Sequence, residues 1–494
     1  MIIKILNLIN YLFCFDGNTR LKKIVWSVSA LVFTGNLLLT AQVMADSILL
    51  QYVHIDTITF EGNRKTRAKI LLRELEFGVG DSIPSAGLAA TIERNRLRLL
   101  NLGLFNEAKM NLRNLSPDGH ASIHVQLTET WVLYPIPLFE LADRNFNVWW
   151  DEFNHSLRRV NYGIDLTHLN LTGYVDQLKV KVQAGFNHKY ELSYKLPPLN
   201  KTQTLVLNTN ASYSRSRDVA YTTRGSKLLF RRDDDVWQIR QISASARLTW
   251  RPQLLTSHTF TLEYRNNRVA DTVARYINPN FFLDSAVRQR HTSFIYGINS
   301  DHRDFQPYPS KGWLVSAEAR LNGLIPGDNL RIARFYGQFA KYFPIKNHSS
   351  FEMIAAGRVS LPRKKPPFFN NQALGYGSSL VRGYQYYVSD GLDFALLKNS
   401  FRIQVFDRTI HFGKYMPFKA FRNMPFRVML LASSDFGYSN DPYDTEGNPL
   451  INTLLWGYGP GIDLIAYYNK TFRIEWSRNR LGESGYFITV NAGI

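Results

Sequence analysis

From about Tyr134 onward, apolar residues recur at every second position. Ile242, Ala244, Ala246, Leu248 and Trp250 share one face, opposite Ser243, Ser245, Arg247 and Thr249. Phe260, Leu262 and Tyr264 oppose Thr261, Glu263 and Arg265, and Trp313, Val315, Ala317 and Ala319 oppose Ser316, Glu318 and Arg320. Leu205, Leu207, Ala211 and Tyr213 oppose Asn208, Asn210 and Ser212. Successive side chains of a strand point to opposite sides, so each run predicts a strand with one apolar and one polar face. A soluble sandwich has the same alternation. Roughly 360 residues of it exceed one sandwich, and a membrane tolerates strands only when the sheet closes. The pattern predicts a mainly β fold, a transmembrane antiparallel β-barrel of about sixteen strands over 133–494.

The preceding segment, 46–132, has mixed periods and predicts one small α/β domain. Val53 to Phe60 alternates as a strand and Glu61-Gly62-Asn63 turns the chain. Ile70, Leu71 and Leu75 are spaced for a helix. Pro84 fits the first turn of a second helix reaching about Asn101, with Leu88, Ile92 and Leu99 on one side. Two strands follow, around Phe105 to Leu112 and Ser122 to Thr128. The Phe60-Glu61-Gly62-Asn63 turn, Thr66, Ile70, Gly80, Leu88, Arg94 and Gly103-Leu104-Phe105 together resemble a polypeptide-transport-associated (POTRA) domain. The run Val125 to Glu129 fits its last strand.

The first residues change the compartment expected. Arg20-Leu21-Lys22-Lys23 is basic, Ile24 to Thr40 is apolar, and Val43-Met44-Ala45 offers small residues to a signal peptidase. Residues 1–45 therefore read as a leader with a secretory signal peptide, cleaved before Asp46. Gly35-Asn36 interrupts the apolar run, which disfavours an uncleaved anchor. The single cysteine, Cys14, lies in this leader, so disulfide and cysteine-zinc chemistry are not expected. Aromatic residues make up 14% of the chain, with Tyr 26 and Phe 32, and a polar, aromatic-rich exported chain fits an outer-membrane barrel. The net charge of +19 would suit nucleic acid, but export argues against that partner. Anionic lipid or a cationic lumen accounts for it instead.

One motif stands out. Val381-Arg382-Gly383-Tyr384 follows a Gly-rich stretch, and Asp435-Phe436-Gly437 ends an apolar strand further on. A buried guanidinium needs a carboxylate. These residues resemble the lumenal-loop motif of the BamA/TamA-type outer-membrane assembly superfamily, also called bacterial surface antigens. In that family the loop arginine pairs with acids on the inner wall, and Asp435 matches one of them. A second acid in the strand after the loop is expected from the family. Asn399-Ser400-Phe401-Arg402 has none, which shifts the expectation to another carboxylate such as Asp393. Asp301 to Asp304 with Pro309-Ser310-Lys311-Gly312 resembles the turn that opens a mid-barrel strand, and Gly457 to Gly461, Phe472 to Trp476 and Gly482-Glu483 resemble the closing strands. The chain ends in Ile494, not in the aromatic residue common in such barrels.

The resemblance implies assistance in inserting or assembling outer-membrane proteins, or in moving a polypeptide. The partners it implies are the bilayer, unfolded or nascent outer-membrane polypeptides held by the POTRA domain, and periplasmic or lipoprotein accessory proteins. The location it implies is the bacterial outer membrane with the POTRA domain in the periplasm. A passive or gated pore, or a surface antigen with adhesive outer loops such as Asn266 to Arg290, uses the same barrel. No H-E-x-x-H, G-x-S-x-G or phosphate loop occurs, so neither catalysis, a cofactor nor a metal is expected. Asp441, Asp444 and Glu446 lack the spacing of a calcium loop.

Overall fold

The computed structural model describes residues 50–142, 146, 148–345, 348–416, 422–444, 447–466 and 470–491. The leader with Cys14, Glu446 and the terminal Ala492 to Ile494 lie outside these described residues. Packing divides the chain into two compact units that interleave near the start. Of the described residues, one comprises those up to Ile58, Val79–Ala89 and Leu112–Ile123; the other comprises Thr59–Gly78, Ala90–Asn111 and those from His124 onward.

The N-terminal elements are β1 (Tyr52–Glu61), α1 (Ala68–Glu74), β2 (Ser82–Pro84), α2 (Leu88–Asn101), β3 (Phe105–Arg113) and β4 (His120–Glu129). Their strands form a sheet in the order β2-β1-β4-β3. Ile70 and Leu71 of α1 and Leu99 of α2 are buried, as the helical spacing predicts. Pro84 stands just before the helical turn rather than inside it, and it has a second role. Its backbone is extended at φ −57°, ψ 128°, and it pairs with Tyr52 at the end of β2. The missing N–H costs nothing at a sheet edge, and the same proline stands at the N-cap of the 3-10 turn Ser85–Gly87 that leads directly into α2, so it both closes a strand and starts the helical stretch.

Beyond Trp131 the chain is an antiparallel meander. Its first strands are β5 (Leu133–Leu141), β6 (Val160–Leu169), β7 (Gln177–Gly185), β8 (Asn187–Lys195) and β9 (Leu205–Ser216). A separate hairpin pairs β10 (Asp218–Arg224) with β11 (Lys227–Arg232). Then come β12 (Ile239–Trp250), β13 (Thr256–Val269), β14 (Arg288–Asp301), β15 (Gly312–Asn322), β16 (Ala333–Ile345) and β17 (Ser349–Leu361). A long excursion carries the short pair β18 (Gln372–Leu374) and β19 (Ser389–Asp390). The ladder resumes in β20 (Asp393–His411), β21 (Asn423–Asn440), β22 (Leu455–Ala466), β23 (Lys470–Asn479) and β24 (Ser484–Asn491). Sixteen of these strands make one sheet, whose order begins at β24 and ends at β5.

The two faces of this sheet are those of a membrane barrel. Ile242, Leu262 and Phe294 are exposed, whereas Thr261, Glu263 and Ser293 beside them are buried. Apolar side chains outside and polar ones inside is the reverse of a soluble core, and lipid supplies the missing apolar surroundings. Buried apolar packing gathers instead where the excursion between β17 and β20 meets the wall. Leu374, Val381 and Tyr384 pack there with Phe394, Leu396 and Leu455.

Candidate functional site in the barrel lumen

One tight turn of the excursion is pressed against the lumenal wall. Tyr384 N donates to Val381 O at 3.2 Å, and Gly383 takes φ +80°, a left-handed conformation that glycine adopts without strain. This turn buries Val381, Arg382 and Tyr384 together. Asn479 Nδ2 donates to Gly383 O at 2.8 Å, and the Tyr384 hydroxyl donates to Trp456 O at 3.3 Å. Loop backbone and wall are thereby joined on both sides of the arginine.

The Arg382 guanidinium reaches two carboxylates. Its Nη1 donates to Asp435 Oδ1 at 2.7 Å and its Nε to Glu475 Oε2 at 3.1 Å, and its main-chain N donates to Asp435 Oδ2 at 3.3 Å. Gln385 Nε2 donates to the other Glu475 oxygen at 3.2 Å. Asp435 is 0% exposed. Lys398 stands opposite Asp435 in the ladder between β20 and β21. Two cations and two carboxylates therefore share a site with little water. Removing one partner from such a set leaves an uncompensated buried charge, at a cost of about 3–5 kcal/mol.

Glycines in the wall make the approach possible. A Cβ at Gly437 would lie 2.5 Å from Val381 Cγ2, and one at Gly457 would lie 1.7 Å from Arg382 O. Residues at both positions face inward on β21 and β22, and any side chain there would push the turn off the wall.

Val381, Arg382, Gly383, Tyr384, Asp435 and Gly437 are thus brought to one place. Asp393 is not there. Its carboxylate accepts from Arg363 Nη1 at 2.5 Å and from Ser360 N at 2.9 Å, at the root of the loop. The second acid is Glu475 on β23, and the expectation of Asp393 is corrected accordingly. Arg402, in the strand after the loop, pairs with Glu352 on β17. The run Phe472 to Trp476 contains Glu475, but strand alternation alone could not show that its face meets Arg382. Asp441 and Asp444 hydrogen-bond Asn371 and Asn448. Among the described residues no group of three His, Cys, Asp or Glu is placed to hold a metal ion.

Comparison with known proteins bears on this geometry. A sequence model described as the Omp85 superfamily domain matches residues 170–389. A second, described as the surface antigen variable number repeat (POTRA), matches residues 53–130. The chain carries an Omp85 superfamily domain and a POTRA domain. No curated protein matches the sequence closely. Among solved structures, CdiB from Escherichia coli aligns over 89% of this chain and 75% of its own, at 14% identity and a TM-score of 0.54. CdiB from Acinetobacter baumannii aligns over 89% and 74%, at 13% identity and a TM-score of 0.50. BamA from Haemophilus ducreyi lacking POTRA domains 1–3 aligns over 89% and 83%, at 14% identity and a TM-score of 0.49. At these identities the likeness to CdiB is one of fold. The pairing of an Omp85 with a POTRA domain supports a general role in outer-membrane protein assembly or polypeptide translocation.

Proposed function

We propose that this Omp85 protein works without covalent chemistry in the bacterial outer membrane. The POTRA domain lies in the periplasm, receives an unfolded or nascent outer-membrane polypeptide, and passes it to the barrel for insertion or translocation. The observation that carries this reading is the clamped lumenal loop. Arg382 between Asp435 and Glu475 occupies the interior that a simple pore would leave to water.

The edge strands support the same reading. The order of the sheet ends on β5 and β24, and β5 contains Pro135 and Pro137. Prolines two apart lack N–H groups on the same side of a strand, so one side of β5 is a poor ladder partner. A seam weak in hydrogen bonds lets the barrel part there, and an extended client can add to the exposed edge by β-augmentation.

The test is depletion of the protein followed by an inventory of the outer membrane. Loss of particular barrels or of a translocated polypeptide is expected. An unchanged inventory with altered solute uptake would favour a pore and overturn the proposal.

A further inference from the structure

Four arginines face one another across four neighbouring strands. Arg215 on β9 stands opposite Arg240 on β12, and Arg240 opposite Arg268 on β13. Arg268 in turn stands opposite Arg288 on β14. His188 on β8 extends the row beside Arg215. With strands about 4.8 Å apart, the four arginines line about 14 Å of wall.

The row faces outward. Arg240 shares its face with exposed Ile242, Arg268 with Leu262 and Tyr264, and Arg288 with Phe294. The intervening Asn267 and Gln289 are buried on the lumenal side. Its depth follows from strand length. Arg215 is ten positions beyond Leu205, the first residue of β9, and about 9–11 residues of tilted strand cross the hydrocarbon layer. At the other rim, Asn170 Nδ2 donates to Thr66 Oγ1 at 2.9 Å and Arg67 N to Gly173 O at 3.1 Å, which marks that rim as the POTRA side. The arginine row therefore begins at the outer edge of the hydrocarbon layer at Arg215 and, because the strands tilt, slants through the outer headgroup region. Trp237 supports that depth, with the guanidinium carbons of Arg215 and Arg217 at 4.1 and 4.9 Å from its ring centroid. Aromatic girdles of barrels lie at this boundary.

Like charges directly opposite in a sheet repel, and none of these four arginines has a carboxylate among the described ion pairs. Arg288 Nε donates to Asn266 Oδ1 at 2.8 Å, and Arg215 Nη2 approaches His188 Nδ1 at 3.2 Å. Three neighbouring acids are engaged elsewhere: Asp234 with Arg232 at 2.9 Å, Asp233 with Arg231 at 3.8 Å and Asp271 with Arg275 at 3.7 Å. An uncompensated cationic row at headgroup depth requires anions from outside the chain. We propose that Arg215, Arg240, Arg268 and Arg288 form a docking surface for the phosphates of net-anionic lipid headgroups in the outer leaflet. Each guanidinium can fork two phosphate oxygens. Neighbouring arginines at strand spacing let one lipid phosphate bridge two strands.

The test uses the purified full chain in detergent, with folding checked by the shift in electrophoretic mobility on heating. Native mass spectrometry would compare phosphatidylglycerol, phosphatidylcholine and inorganic phosphate as added ligands. The wild type is expected to retain phosphatidylglycerol in preference to phosphatidylcholine, and to lose it as salt rises. Arg240→Gln with Arg268→Gln should weaken that retention at least about tenfold, at roughly fivefold per arginine. Arg240→Lys with Arg268→Lys should keep most of it, as should the loop control Arg231→Gln with Arg232→Gln. Equal retention of both lipids, a folded double glutamine variant that binds like wild type, or full displacement by millimolar inorganic phosphate would each overturn the proposal.

Discussion

The main-chain carbonyl of Arg382 occupies the space that a side chain would fill at Gly457, where a Cβ would lie 1.7 Å from its oxygen. The arginine motif and the glycine in β22 are therefore two halves of one fitting. The guanidinium supplies the charge, and the bare backbone at Gly457 lets the turn come close enough to use it.

Gly457→Ala should displace the turn. Overpacking ordinarily costs about 1–3 kcal/mol, and a rigid backbone oxygen leaves little room to relax. The folded, heat-modifiable form should be depleted on semi-native gels, and residues 380–385 should become accessible to protease. A fully folded Gly457→Ala with a protected loop would refute the fit.

Arg382→Ala should cost about 3–5 kcal/mol, because both Asp435 and Glu475 are then buried without a cation on the loop. Two carboxylates also alter what a charge reversal can do. Arg382→Asp with Asp435→Arg still sets an acid against Glu475, so that pair should restore little folding or activity. Adding Glu475→Gln to the reversal should restore more. Denaturant titration of the three variants beside the wild type checks the order, and equal stability of all would remove Glu475 from the clamp.

Asp390 lies in the lumenal loop, outside the membrane-spanning strands. Burial pushes its carboxyl up to about 6, despite hydrogen bonds donated by Thr223 Oγ1 at 2.6 Å and the Tyr376 hydroxyl at 2.7 Å. The folded value exceeds the ordinary 3.8, so burial of the neutral carboxyl, which seats the loop beside β10, contributes fully below pH 3.8. That contribution is lost as pH rises through about 6, because ionisation makes burial of Asp390 costly and outweighs the hydrogen bonds it accepts. Hydrogen exchange in 218–232, corrected for intrinsic rates, should be faster at pH 8 than at pH 5, and Asp390→Asn should flatten the difference. Identical corrected rates at both pH values would count against it.

Replacing Pro135 and Pro137 with Val should restore two N–H donors to β5 and tighten its seam with β24. The variant is expected to be more stable to heat and less active in client assembly. Higher stability with undiminished activity would show that the seam need not part.

Several features were legible in the residues themselves. Alternation over about ten residues depends only on local geometry, so strand count and the lipid-facing side could be read directly. Gly383 and the arginine beside it were visible as a motif, because a tight turn needs particular neighbours in sequence. Pro84 was legible as a helix entry but not as a strand end, because its φ of −57° suits both equally well.

What the sequence by itself determined, then, is which residues face lipid and which face the lumen. Tertiary structure decided which lumenal residues meet. Glu475 reaches Arg382 from another strand, Asp393 is held by Arg363, and four arginines from separate strands fall into one row. All three depend on register, the sliding of one strand against the next, which accumulates around a barrel. A strand's own sequence carries its face but not that offset. The second carboxylate and the outer cationic row therefore emerged only once the sheet was assembled.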